Sequence, residues 1–396
     1  MAKQPREFKK KGINLPFLFV TVLLSCIGII MVYSSTYNTN IIAGDDPLSS
    51  LFTQVAGFGL GYLFLIITSK YDYHNYAKKE TLFFTIFFIL AIAVLAYVRT
   101  RPAINNAHRW IKIFGITVQP SEFAKILLML YTSVFVAKKK WKKKPRLVKR
   151  NESGTTLADI YAKYPWATFA LPICVCVILI LIEPDLSTCI CICAAIYGTM
   201  LIGDVPKKAM LIIFALGIFF LSLYFIIKSA GDDYHASRFY SWLHAWEDPQ
   251  GKGYQVIQSL YAIGDGGLFG VGLGNSKQAI THLPMSESDY IFSIICEEFG
   301  FVGALVVIGL FIAFAVIGIA IALKAPDSLG TCIAFSITLM ITLQALLNMA
   351  VATNVGPSTG VTLPFISKGA SSIVAMLTAV GIVLNVSSQG TKRPKH

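Results

Sequence analysis

Charge is scarce in this chain. Asp, Glu, Lys and Arg make up 14% of its 396 residues, where a soluble protein carries about a quarter. That shortage excludes an ordinary soluble enzyme domain. No ligand spacing for a metal stands out either. The eight cysteines, Cys26, Cys174, Cys176, Cys189, Cys191, Cys193, Cys296 and Cys332, all fall in apolar runs. Residues two apart on a helix point to nearly opposite sides, so the Cys-x-Cys pairs are poor chelators. They read as small apolar fillers, and no disulfide framework is implied. The glycine-rich stretch from Gly264 to Ser276 has no Gly-Lys-Ser/Thr and no preceding strand, so it is not a nucleotide loop. It reads as a turn that lets backbone pack closely. No internal repeat is visible.

What the chain has is apolar length. Runs near 14–35, 50–69, 81–98, 120–137, 165–182, 187–203, 209–228, 290–323, 329–352 and 369–388 are long enough to cross a bilayer. They predict an all-α polytopic membrane protein of about ten transmembrane helices in one domain, 1–396. The eighth run exceeds what a bilayer needs, which predicts a tilted or broken helix. With the N-terminus cytoplasmic, 24 Lys and Arg fall inside and 10 outside or near the outer ends, the asymmetry of the positive-inside rule. This explains the net charge of +13 without nucleic acid. Both tails, about 1–13 and 389–396, are then cytoplasmic. So is the loop 138–164, where nine of the thirteen residues from Lys138 to Arg150 are basic. That run reads as a topology anchor or as a docking site for anionic lipid or a partner. The large extracytoplasmic loop between helices 7 and 8, residues 229–289, is expected to form short amphipathic helices along the outer interface. Residues 353–368 are rich in Gly and Pro and read as an outer loop or re-entrant turn.

Four polar clusters share the outer side: 105–125, 183–188, 283–292 and 354–372. Ionisable residues at or inside span ends are costly and mark function. Each also has a plainer reading. Glu122 and Lys125, spaced i, i+3, can form a structural ion pair. Asp185 can cap the sixth helix. Arg109 and Lys112 can be interfacial anchors. Asp289 can cap the eighth helix, yet it stands among acids on the loop best placed to line a site.

The motifs carry a resemblance. Arg109-Trp-Ile, Gln119-Pro-Ser-Glu-x-x-Lys125, Pro184-Asp-Leu-x-Thr188, Asp248-Pro-x-Gly-x-Gly-Tyr-Gln255 and Gln258-Ser-Leu-x-Ala-Ile-Gly264 resemble the SEDS family (shape, elongation, division and sporulation). So do Gly272-Leu-Gly-Asn-Ser-Lys-Gln278, Leu283-Pro, Asp289-Tyr-Ile-Phe-Ser293 and Gly360-Val-x-Leu-Pro-Phe-x-Ser-x-Gly-x-Ser-Ser372. The likeness runs from the first span to the last, and is nearer the FtsW and SpoVE branch than RodA. It implies a peptidoglycan glycosyltransferase of the bacterial plasma membrane, acting on lipid II at the outer face for septum synthesis. It also implies a class B penicillin-binding protein, a transpeptidase, as partner, with division or elongation machinery. The family's essential aspartate falls on Asp289. Substrate-binding candidates are Arg109, Trp110, Lys112, Glu122, Lys125, Asp185, Arg238, Gln255, Lys368 and Ser371. The chain departs from the family at Glu183 for a common Gln, Ser187 for Gly, Thr362 for Pro, Lys368 for Tyr and Ala370 for Gly. Met285, Glu287 and Ser288 also replace usual residues.

The implied reaction joins a sugar hydroxyl to an anomeric carbon. The hydroxyl needs a base, which Asp289 would supply. The pyrophosphate leaving group needs cations, from Arg109, Lys112, Arg238 and Lys368, or a divalent metal such as Mg or Mn. The rival classes are a lipid II flippase and a non-catalytic scaffold for the transpeptidase. A flippase needs charges reachable from both faces and is favoured by inverted repeats, and neither is seen here.

Overall fold

The structure, a computed structural model, describes residues 9–10, 12–78, 80–101, 109–113, 116–139, 165–183, 185–215, 217, 234–251, 253–358 and 360–390. Among these, seven helices are long and apolar enough to cross a membrane: α1 (Leu15–Ala43), α2 (Ser49–Lys70), α3 (Glu80–Arg99, apolar from Leu82), α4 (Pro120–Ala137), α9 (Ile291–Leu323), α10 (Ser328–Ala352) and α11 (Ala370–Ser388). Two shorter apolar helices, α5 (Pro165–Ile182) and α6 (Leu186–Ile202), complete nine of the ten predicted spans. Of the run 209–228, residues 209–215 and 217 are helical and the rest lies outside the described residues. So do most of the basic loop 138–164, residues 229–233 of the large loop and the ends of both tails. The chain is a multi-pass membrane protein.

Local chemistry sets the helix ends. Asn14 caps α1 by accepting from the Phe17 amide at 3.0 Å, and left-handed Gly44 closes it. The helix outlasts its apolar run, expected to end at 35, because the polar residues beyond find partners: the Thr36 and Thr39 hydroxyls donate to the Val32 and Ser35 carbonyls at 2.6 and 3.1 Å. Just before them, buried Ser34 donates to Glu298 at 2.6 Å. Helices α4, α10 and α11 are mostly buried, while α2, α3 and most of α9 present apolar surface outward. Gly57 and Gly381 let α2 and α11 pack backbone to backbone, the small-residue contact usual in membranes, and Gly61 makes room for the Leu377 side chain.

The oversized eighth span is broken. Gly300 leaves helical geometry with φ +66° inside α9. The glycine-rich turn after helix α8 (Tyr254–Asp265) docks on that break. A side chain on Gly266, Gly270 or Gly300 would strike backbone of the opposing segment. The Val271 and Gly272 amides donate to the Glu297 and Glu298 carbonyls at 2.9 and 3.0 Å, and the Phe301 amide donates to the Gly267 carbonyl at 2.9 Å. The stretch is therefore a close-packing turn, as its glycines indicated. Glu297 accepts from the Ser276 hydroxyl and Lys277 amide, so these intramembrane acids hold a loop in place.

Residues 353–369 re-enter the bundle. Leu363, Phe365 and Ile366 are buried, and the Phe365 carbonyl lies against Gly28 of α1. Gly28 is roughly 20 Å from the Ala43 end of α1 at 1.5 Å per residue. Irregular backbone at that depth is tolerated because protein surrounds it. At the opposite end, β1 (Lys9–Lys10) pairs with β4 (Gln389–Gly390), which brings the two ends of the described chain together. The segment 229–289 forms the predicted surface helices where described: α7 (Tyr234–Leu243), a 3-10 turn (Ala245–Glu247) and α8.

Candidate active site

Asp289 ends the turn that leads into α9. Tyr290, not Asp289, occupies the cap position, so the carboxylate is not spent on capping. The backbone here is held from two directions. Asn348 of α10 donates to the Asp289 carbonyl at 2.8 Å and to the Val361 carbonyl at 2.6 Å. Ser367 of the re-entrant segment donates to the Ser288 carbonyl at 2.6 Å and accepts from the Leu363 amide at 2.7 Å.

Two arginines from distant parts of the chain meet this carboxylate. Arg109, just before strand β2 (Ile111–Ile113), is buried, and its Nε donates to the Glu183 carbonyl at 2.7 Å. Arg238 on α7 is half-buried, and its Nη1 donates to the Ser358 carbonyl at 3.1 Å. They converge at Gly360, whose φ of +73° favours glycine. A Cβ there would lie 3.4 Å from Asp289 Oδ2, 3.5 Å from Arg109 Nη1 and 3.6 Å from Arg238 Nη1. Burial pushes the Asp289 carboxyl above its ordinary range, with a small push from Glu287. Arg238, Arg109 and the Ser288 hydroxyl hold the rise in check.

The other predicted polar residues sort into layers. Asp185 caps α6, accepting from the Thr188 amide at 3.2 Å and from Gln119 Nε2 at 3.2 Å. Ser371 accepts from the Gln119 amide at 3.2 Å. Beneath them Lys125 Nζ pairs with Glu122 at 2.8 Å and donates to Gln344 at 2.7 Å, while Ser372 donates to Glu122 at 3.1 Å. This is a buried structural network. Lys112 is exposed on the hairpin of β2 with β3 (Ile116–Val118), next to half-buried Trp110. Gln255 is half-buried on α8. Lys368 faces Glu287 at 3.8 Å, so two departures from the family pattern meet each other.

Sequence reasoning passed over Asn348 and Gln344, and it noted Ser367 and Glu183 without giving either a role. The first two had a signal, polar residues at i, i+4 inside the apolar run 329–352. Among the described residues no three His, Cys, Asp or Glu gather as a metal site. One carboxylate between two guanidiniums is a donor set for an anion, and it does not fit a divalent cation.

The family model described as cell cycle protein, covering FtsW, RodA and SpoVE, matches residues 14–392. Stage V sporulation protein E of Bacillus subtilis (strain 168) is 34% identical, over 96% of this chain and 98% of that protein. The probable peptidoglycan glycosyltransferase FtsW of Geobacter metallireducens is 32% identical, over 95% of each. A structure titled for the coordination of polymerization and crosslinking by a peptidoglycan synthase complex matches with a TM-score of 0.68 and 25% identity, over 95% of this chain and 97% of that one. The rod shape determining protein RodA of Thermus thermophilus shares the fold, with a TM-score of 0.61 and 23% identity over 95% and 96%. The motif resemblance holds along nearly the whole length: this chain belongs to the FtsW, RodA and SpoVE family of cell cycle proteins.

Proposed function

We propose that the chain is a peptidoglycan glycosyltransferase that polymerises lipid II, with Asp289 as general base. Its relatives carry that activity in their names. The observation that supports the site is the meeting of Asp289, Arg109 and Arg238 around Gly360. Asp289 takes the proton of the acceptor sugar hydroxyl. The hydroxyl oxygen then bonds to the anomeric carbon of the second chain, with inversion. The bond from that carbon to the phosphate oxygen breaks, and pyrophosphate leaves with the electron pair. A raised carboxyl is better matched to this proton transfer than an ordinary one. Arg109 and Arg238 stabilise the developing phosphate charge from fixed positions. No step is assigned to a metal.

In this reading the single unit 1–396 has its site on the outer side of the plasma membrane, with both tails and the loop 138–164 in the cytoplasm. The positive-inside asymmetry supports that reading. Division synthesis at the septum fits the FtsW relatives. A class B penicillin-binding protein is the proposed partner, since the synthase complex of the same fold couples polymerization to crosslinking. The experiment is direct: purified protein with such a partner and labelled lipid II, run on a gel. Strands are expected, and lipid II left unpolymerised would contradict the reading.

A further inference from the structure

The turn between α5 and α6 holds an acid that the mechanism above does not use. Glu183 is buried, and neither carboxyl oxygen has a hydrogen-bond partner among the described residues. A lone buried carboxylate is costly, so such a group favours its neutral form. The four charges and titratable groups that face it come from three segments. Arg99 ends α3, Arg109 precedes β2, Asp185 caps α6, and Cys189 lies one turn into α6. Burial first, then Asp185, pushes the Glu183 carboxyl up to about 8, against the pull of Arg109 and Arg99.

Arg109 links this acid to the chemistry. Its Nε donates to the Glu183 carbonyl, while its Nη1 stands with Asp289 around Gly360. One guanidinium is therefore tied to the Glu183 main chain, beside a carboxyl that makes no hydrogen bond among the described residues, while its other end stands with Asp289. We propose that Glu183 is a positioning residue for Arg109: neutral, it leaves the guanidinium directed at Asp289 and the departing pyrophosphate, and ionised, it draws that charge to itself. The inference rests on the proposed glycosyl transfer at Asp289.

Strand synthesis by the wild type with its transpeptidase should then rise with pH as Asp289 ionises, and fall as pH passes about 8. Glu183→Gln stays neutral throughout, so its falling limb should move to higher pH or vanish. A merely structural Glu183 would leave the limb in place, and an unchanged limb would overturn the proposal. Infrared titration gives a second test that needs no turnover. In an Asp289→Asn background, which removes the neighbouring raised acid of the site, a protonated-carboxyl band should bleach near pH 8. If Glu183→Gln does not fold, this band decides alone, and its absence would overturn the proposal. A wild type that makes no strands at any pH would sink the underlying reading and this inference with it, whatever the band shows.

Discussion

Arg109 and Arg238 are held with unequal firmness, and the difference has a kinetic consequence. Arg109 is buried, with its Nε fixed on a carbonyl, whereas Arg238 is half-buried on a surface helix. A preorganised donor stabilises developing charge without further reorganisation, and losing one costs about 10²–10³-fold. Arg109→Ala should therefore fall in that range, and Arg238→Ala should lose less. Arg109→Lys should not restore the rate, since an ammonium lacks the fork that reaches Glu183 and Asp289 together. Normal strand synthesis by both alanine variants would reduce the two arginines to anchors. Both were legible as cations on the site side. Their meeting was not, because 129 positions separate them and they converge at the re-entrant Gly360. Lys112, Gln255 and Lys368 carried equal weight in the sequence. Charge sorting gives the side of a membrane, and it says nothing of depth or direction.

Helices and loops were more readable than side chains, because apolar length is a direct record of bilayer thickness. The excess length of the eighth run announced a break. Its position did not show, since Gly300 shares α9 with Gly303, Gly309 and Gly318. Contact with the glycine turn selects it. Gly300→Ala would push a methyl into the backbone of Leu268 and Gly270 and strain a positive φ. A loss of about 1–3 kcal/mol is expected from such overpacking, read as a lower thermal midpoint in detergent. Gly309 has open space around it, so Gly309→Ala should be nearly neutral. Equal midpoints for the two variants would argue against the docked turn.

The end of the bundle away from the site has its own clasp, which nothing in the apolar pattern disclosed. His74 bridges Asp72 and Asp327 at 2.7 Å each. The Tyr73 amide donates to Asn385 of α11 at 3.0 Å. The hydrogen bond to Asp327 raises the His74 ring above its ordinary 6.5, and the Asp72 contact adds to this against burial. Burial alone would raise Asp72 and Asp327, but hydrogen bonds, those of His74 prominent among them, lower both below 3.8. The histidine contribution is complete below 6.5 and is lost as pH rises through the raised value. The aspartate contribution is complete above 3.8 and is lost on acidification. The clasp is thus strongest between those two values. His74→Gln should lower the thermal midpoint most near pH 6, and the gap from wild type should narrow in alkali. A gap that widens in alkali would contradict the clasp.

The whole molecule combines these parts into a bundle clasped at one end and open to chemistry at the other. Buried α4, α10 and α11 form its centre, and a re-entrant segment carries Gly360 to the acid. Such a frame suits a fixed site, because a general base acts only within hydrogen-bond reach of its proton. Transport and scaffolding make no use of that requirement. The sharpest measurement compares strand synthesis from labelled lipid II by wild type and Asp289→Asn, each purified with the same transpeptidase. Asn keeps the shape of Asp and cannot take a proton, so the variant should fold and bind its partner while losing on the order of 10²–10⁴-fold in rate. Comparable strand output from the two proteins would contradict the assignment of Asp289 as the base.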